Sequence, residues 1–319
     1  MDETLGEADG VWMVDGAERP KQGEPAVGGA RPWCGHVGKV DKGQAGVCAA
    51  SASRQGSPWL DRRLSLPDAW CDAAHRERWT KGGIPEATCC TTKPALALER
   101  LQAAGGAGTR RVRWVACDEA CGRDTAFLDG VAAVPRWSCA EVPHETPRWL
   151  QRPATAVPAW SGRGRRPRKA RLVPGEAAPQ RVAQLAAALP PEAWQPFLIK
   201  EGSTGPRVAA CALQRGGAGR AGLPGPDVWL VLRRGVGEHP ERKVSLSNAP
   251  AHTPVAVRVR VAGRRWPIET AFEERKGGWG LDHDEVRSWL GWQHHMTLCL
   301  LAHHCLVRAR MRVKKGRRP

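Results

Sequence analysis

Tyrosine is absent from the 319 residues, phenylalanine occurs three times and methionine four. Tryptophan fills the aromatic role with 15 residues, most of them set in apolar strand-like or helix-like runs where they read as packing. No two cysteines have the C-x-x-C spacing, although the chain holds 11 of them. That absence, with an odd count in a long chain, speaks against a disulfide scaffold and against a structural zinc site, which usually shows two tight ligand pairs. Reduced, partly buried thiols are the expectation. Two looser groups keep a zinc reading open: Cys117 with Cys121, and Cys299, His303, His304 and Cys305 on one apolar helix. No apolar run reaches the roughly 20 residues of a membrane span, and the opening MDETLGEADG is too acidic and polar for a signal peptide. A cytoplasmic protein without a membrane partner is expected.

Acidic residues are scarce as well. Asp and Glu number 32 against 49 Lys and Arg, for a formal net charge of +17 and a pI of about 10.0. An excess of that size calls for a polyanionic partner, nucleic acid foremost, because each phosphate neutralised releases condensed counterions. Yet six of the few acids crowd into RWPIETAFEERKGGWGLDHDEVRSW, between Arg265 and Trp289. Either they coat a solvated helix, or one of them serves where negative charge is needed beside a polyanion.

The order of elements is α/β. VWMVD (11–15) reads as a buried strand with Asp15 at its exit, followed by the loop GAERPKQG. ARPWCGHVGKV and QAGVCAASAS read as a hairpin extending the same sheet, and residues 51–92 are mixed. TKPALALERLQAAGG reads as a helix with Pro94 near its start and a glycine stop. RVRWVACDEACG repeats the opening theme and ends in Asp118; the helix DTAFLDGVAA and the strand RWSCAEV follow. The chain then changes character. SGRGRRPRKARL packs Arg163, Arg165, Arg166, Arg168 and Lys169 into a Pro/Gly-rich loop that suits phosphate contact or a solvated linker. VAQLAAALPPEAW reads as a short helix, RGGAGRAGLPGP as a flexible segment and PDVWLVLRRG as a strand. Helix is expected to resume after VRVRVAG and to close the chain over about 283–313, with a basic tail. Three parts result: residues 1–144, an inserted, partly β and basic subdomain over 145–258, and helices over 259–319.

Asp15 and Asp118 at strand ends, with Glu269 on a helix packed across them, would make a trio of hard oxygen ligands for a pair of Mg²⁺ ions. Lys276 lies seven residues beyond Glu269 on nearly the same helical face, and Arg265 stands just outside the helix before Trp266–Pro267. The bland alternatives are turn-forming aspartates and a surface stripe of Glu269 with Glu273. Asp124, Asp129, Asp282 and Asp284 are equally eligible by residue type.

IETAFEERKGGWGLDHDEVRSWLGWQHHMTL resembles the C-terminal signature of DDE insertion-sequence transposases, specifically the insertion-sequence-701 type, related to the insertion-sequence-4 group. That signature sets a Glu between an Arg and a Lys with three and six residues intervening, which Arg265, Glu269 and Lys276 match. PKQG, AVGGARPWCGHVGKV, LDRRLSLP, RWVACDEACGRD and LSNAP match further family segments in order. The resemblance implies a ribonuclease H-like mixed sheet flanked by helices, with an inserted β-rich region before the last catalytic helix. It implies Mg²⁺- or Mn²⁺-dependent cleavage and strand transfer of transposon ends, with two ions held by Asp15, Asp118 and Glu269. Lys276 and Arg265 would grip phosphates. The partners would be double-stranded DNA at transposon ends and target, with a homodimer on that DNA as one option, in a nucleoid-associated protein. Ala262 and Cys121 stand where the family has tyrosine, and Gly16, Ala17 and Glu18 replace its usual acid and Thr-Gly. Relatives carry a helical N-terminal region before the first strand, so a truncated or decayed copy is expected. The alternative function is a non-catalytic basic remnant that holds DNA by charge alone.

Overall fold

VWMVDGAERP forms strand β1 (Val11–Pro20), and its first four residues are buried whichever face they point to, Trp12 and Met13 completely. A strand lies on either side of it, which explains the unbroken apolar start. A small hairpin, β2 (Trp33–Cys34) with β3 (Lys39–Val40), comes next, then β4 (Gly43–Ala52), β5 (Trp59–Ser65) and, after two helices, β6 (Trp114–Cys117). β4 runs antiparallel to β1 from Val11↔Ala52 to Pro20↔Gly43, and β5 runs antiparallel to β4. β6 pairs parallel with β1 on its other side, from Val11↔Trp114 to Val14↔Cys117.

The computed structural model describes residues 10–21, 26–31, 33–34, 39–40, 42–53, 56–72, 76–106, 112–202, 205–235, 242–264 and 285–316. The chain divides into two units, Met1–Arg136 with Arg264–Pro319, and Trp137–Gly263.

In the first unit every residue of β4, GQAGVCAASA, is buried. Its small side chains leave a flat surface, and helix α2 (Lys93–Gly106), which follows the short α1 (Arg76–Gly82), packs on it. Two further helices, α3 (Glu119–Arg123) and α4 (Thr125–Ala133), follow β6 directly. Leu98 of α2 occupies the space that a side chain at Gly130 of α4 would need: an added Cβ would lie 2.3 Å from its Cδ2.

The second unit is a run of antiparallel strands. β7 (Trp137–Glu141), β8 (Pro147–Trp149), the ladder β9 (Thr155–Ala156) with β10 (Arg171–Leu172), and β11 (Gln180–Arg181) precede helix α5 (Val182–Ala187). The long strands β12 (Gln195–Gly202), β13 (Gly205–Arg220), β14 (Leu223–Gly235) and β15 (Arg242–Ser247) come before α6 (Val255–Gly263). Their order is β11-β8-β13-β14-β15-β7, with β12 also on β13. Val182 and Leu185 of α5 pack in a core with Leu230, Leu232 and Leu246.

Arg148 is fully buried in this sheet, and its Nη2 donates to the carbonyls of Gln214 and Val228, 3.0 Å each. Burial pushes its pKa down to about 10, with Asp227 opposing the shift. The guanidinium of Arg258 lies 3.7 Å from the ring centre of Trp229 and donates to the carbonyl of Thr253.

Helix α7 (Trp289–Gly316) returns to the first unit. Trp292, Met296, Cys299, His303 and Val307 form its buried stripe at intervals of three and four residues. The stripe meets β5, where the Trp59 N–H donates to His303 Nδ1 at 3.5 Å and Arg62 Nη2 donates to the Gln293 carbonyl at 3.3 Å. None of the described helices is long and apolar enough to cross a membrane.

Five expectations change. ARPWCGHVGKV and QAGVCAASAS are not one hairpin: the first holds the separate β2–β3 ladder, while β4 pairs with β1 and β5. Asp15 does not close its strand, since β1 continues to Pro20 while β4 keeps pairing with it. RGGAGRAGLPGP is no flexible segment: it closes β13 and opens β14, and only Ala221 (φ 48°) and Gly222 (φ 79°) form the turn, the left-handed pair of a type I′ connection. Helix begins before VRVRVAG and takes in all of it as α6, because packing of Val259 with Ala209 and Cys211 outweighs the poor helix propensity of valine. Finally, Cys71 and Cys90 form a disulfide with Cα atoms 6.1 Å apart, so uniformly reduced thiols fail at this pair. The fold is mixed α/β: a mixed sheet flanked by helices, with a β-rich insertion before the final long helix. That is the ribonuclease H-like arrangement.

Gly216 lies where β8 crosses β13, and an added Cβ would sit 2.3 Å from the Trp149 carbonyl oxygen and 3.0 Å from that of Leu150. Neither oxygen is on a flexible side chain. Gly216→Ala is therefore expected to cost about 1–3 kcal/mol, seen as a lower urea midpoint at unchanged slope.

Candidate functional site

The register of β1 with β6 decides where the first two acids stand. Val14↔Cys117 is the last parallel pair, and Asp15 and Asp118 each follow by one residue. The backbone of Asp118 is still extended (φ −74°, ψ 178°), so the two residues remain in step on strands about 4.8 Å apart. Matched residues of parallel neighbours face the same way, and both carboxylates therefore emerge on one face of the sheet.

Backbone donors orient them. Asp15 Oδ1 accepts from the Gly16 N–H at 2.8 Å. Asp118 is the N-cap of α3, its Oδ1 accepting from the Cys121 N–H at 3.0 Å. The cap leaves the second oxygen of Asp118 without a hydrogen-bond partner among the described residues. Two half-buried carboxylates on neighbouring strands, each oriented by a backbone N–H, are a fit donor set for a hard divalent cation.

Glu18, also on β1, is no third member. Three residues from Asp15, it points to the opposite face, where its carboxylate folds over Gly16 and pairs with Lys93. Asp124 caps α4 by accepting from the Phe127 N–H at 2.8 Å, and Asp129 lies on the exposed side of that helix. Glu269, Arg265 and Lys276 lie outside the described residues, as do Glu273, Asp282 and Asp284. No group of three or more His, Cys, Asp or Glu side chains gathers among the described residues.

The thiols and imidazoles of the zinc alternative have other surroundings. His303 takes the Trp59 N–H, and Cys299 sits 3.6 Å from His295 Nε2. Outside those two groups, burial pushes the Cys139 thiol up to about 12 and the Cys211 thiol up to about 11, which leaves both inert at neutral pH. A cavity of about 610 Å³ opens beside the Cys71–Cys90 disulfide, lined also by Trp70, Arg76 and Trp79. It shares no lining residue with the two aspartates.

Arg163, Arg165, Arg166, Arg168 and Lys169 are exposed in the second unit, on the loop that joins β9 to β10. No carboxylate pairs with any of them among the described residues. Trp160 stands in the same loop, half exposed. Sequence reading passed it over because it is one of 15 tryptophans and lies in no periodic pattern; its setting among arginines was the available signal.

Comparison with protein-family models matches residues 1–206 to the model described as DDE superfamily endonuclease. The match covers more than half of the chain, takes in Asp15, Asp118 and the basic loop, and ends before Glu269. Comparison with curated proteins finds no match.

Capping and charge can be separated at Asp118. Asp118→Ala removes the acceptor for the Cys121 N–H and is expected to cost about 1 kcal/mol, whereas Asp118→Asn keeps an acceptor and most of that stability. Urea unfolding of the two variants measures the difference.

Proposed function

The chain belongs to the DDE superfamily of endonucleases, and from that premise we propose that it is the catalytic region of a transposase of the insertion-sequence-701 type. It would cleave transposon ends in double-stranded DNA and join them to a target. The observation that supports this most is the shared register and face of Asp15 and Asp118 on parallel neighbours.

On this reading Asp15, Asp118 and Glu269 hold two Mg²⁺ or Mn²⁺ ions. When bound, such ions activate the attacking oxygen and stabilise the departing one in an in-line phosphoryl displacement. The protein's own groups do the positioning. The Gly16 and Cys121 N–H groups fix one oxygen of each aspartate, so the carboxylates are oriented before substrate arrives. Lys276 and Arg265 hold non-bridging phosphate oxygens beside the scissile bond, the arginine through its planar fork. Arg163, Arg165, Arg166, Arg168 and Lys169 bind the backbone of the duplex by charge, without reading its sequence.

Incubation with linear duplex carrying terminal inverted repeats and Mg²⁺ tests the proposal. Metal-dependent nicks are expected at the repeat ends, and Asp15→Asn, Asp118→Asn and Glu269→Gln should each lower nicking by roughly 10²-fold or more. Duplex binding in the absence of divalent ions should persist in all three. Nicking that survives Glu269→Gln would remove that residue from the mechanism. Salt-sensitive binding with no cleavage in the parent protein would leave the charge-only DNA remnant instead.

A further inference from the structure

Val157–Ala170 is the tip of a small structured hairpin. Its stem is the β9–β10 ladder, Thr155↔Leu172 and Ala156↔Arg171, extended by the Val173 N–H donating to the Ala154 carbonyl at 3.1 Å. Within the tip, Gly162 (φ 83°) and Gly164 (φ 72°) take left-handed conformations, and a side chain at either position would meet only open space. The Trp160 indole Nε1–H donates to the Gly164 carbonyl at 3.2 Å, which holds the ring across the turn. Trp160 is 51% exposed. Five exposed cations follow it within nine residues.

An aromatic ring left half in water, pinned by a hydrogen bond and followed along the same loop by exposed cations, suits one kind of ligand: a strand with negative charge along its backbone and flat apolar faces beside it. Duplex DNA offers the charge, but its base faces are stacked away, and opening a step costs energy. An unpaired base offers both. The pinned rotamer lowers the entropy lost on stacking. We propose that this hairpin is a clamp for single-stranded DNA, with Trp160 stacking on an unpaired nucleobase while Arg163, Arg165, Arg166, Arg168 and Lys169 hold the flanking phosphates. The clamp deepens the DNA-binding part of the function proposed above: it would take the strand freed at a frayed or cleaved end.

The test is binding without divalent ions, so that it stands whether or not the protein nicks DNA. A fluorescent blunt duplex is compared with the same duplex carrying a single-stranded overhang that contains 2-aminopurine. Trp160→Ala should weaken binding of the overhang about fivefold or more, abolish 2-aminopurine quenching and leave the blunt duplex unaffected. Trp160→Phe should retain most of the quenching. Combined Arg163→Ala, Arg165→Ala and Arg166→Ala should weaken both ligands and reduce the salt slope by roughly 0.9 per lost duplex phosphate contact. Equal weakening of both ligands by Trp160→Ala, or no change in either, overturns the clamp, as does Trp160-dependent binding to phosphatidylserine vesicles in preference to the oligonucleotides. A failed clamp would leave metal-dependent nicking standing, and absent nicking would leave the clamp standing.

Discussion

The parallel pairing of β1 with β6 is the constraint on which the candidate site depends. Strand side chains alternate, so a slip of one residue would turn Asp118 to the other face from Asp15. Burial prevents it. Trp12 and Met13 point to opposite faces of β1 and both are fully enclosed, while all four residues of β6 are buried. A slip would move Trp12 and Trp114, both enclosed, out of the spaces they fill. Arg136 adds a tie at the start of the pair, donating to the Val112 carbonyl with its guanidinium 6.0 Å from the Trp12 ring centre.

Charge is sorted in a way that net composition conceals. The two aspartates are tied to backbone N–H groups on one face of the first unit's sheet, while Glu18 on the other face is neutralised by Lys93. The densest cations lie on a hairpin of the second unit, exposed to water. Buried arginines follow different rules again. Arg148 and Arg258 are both enclosed; Arg148 satisfies backbone carbonyls, and Arg258 bonds a carbonyl and covers a tryptophan ring. An account in net charge alone would count all of these arginines as DNA contacts.

Much of the first unit was legible in the chain. Two apolar runs each ending in aspartate read as strands, and Leu/Ala spacing marked α2. Other elements were hidden because tertiary contact decides them. The glycines of RGGAGRAG look like loop punctuation, yet Gly216 and Gly219 are bare because backbone carbonyls of Trp149 and Pro147 press against β13 there. Valine-rich VRVRVAG carries no helical signal, and its packing partners lie some 50 residues earlier, at Ala209 and Cys211. Cys71 and Cys90 are 19 residues apart, a spacing that announces nothing. For the candidate site, the apolar runs pointed to Asp15 and Asp118, but nothing local marks the Asp118 side chain as a helix cap. The roles of Arg265, Glu269 and Lys276 rest on the resemblance and on the proposal built from it.

Arg148 also sets a schedule for synthesis. The carbonyls it holds belong to residues 66 and 80 positions further along the chain. At about 5–20 residues per second, the ribosome reaches the second of them roughly 4–16 s after Arg148 itself is made. Until then the guanidinium has only water or nascent neighbours to satisfy it, and β8 cannot take its final place. The burial of Arg148 in the second unit therefore waits on the synthesis of β13 and β14.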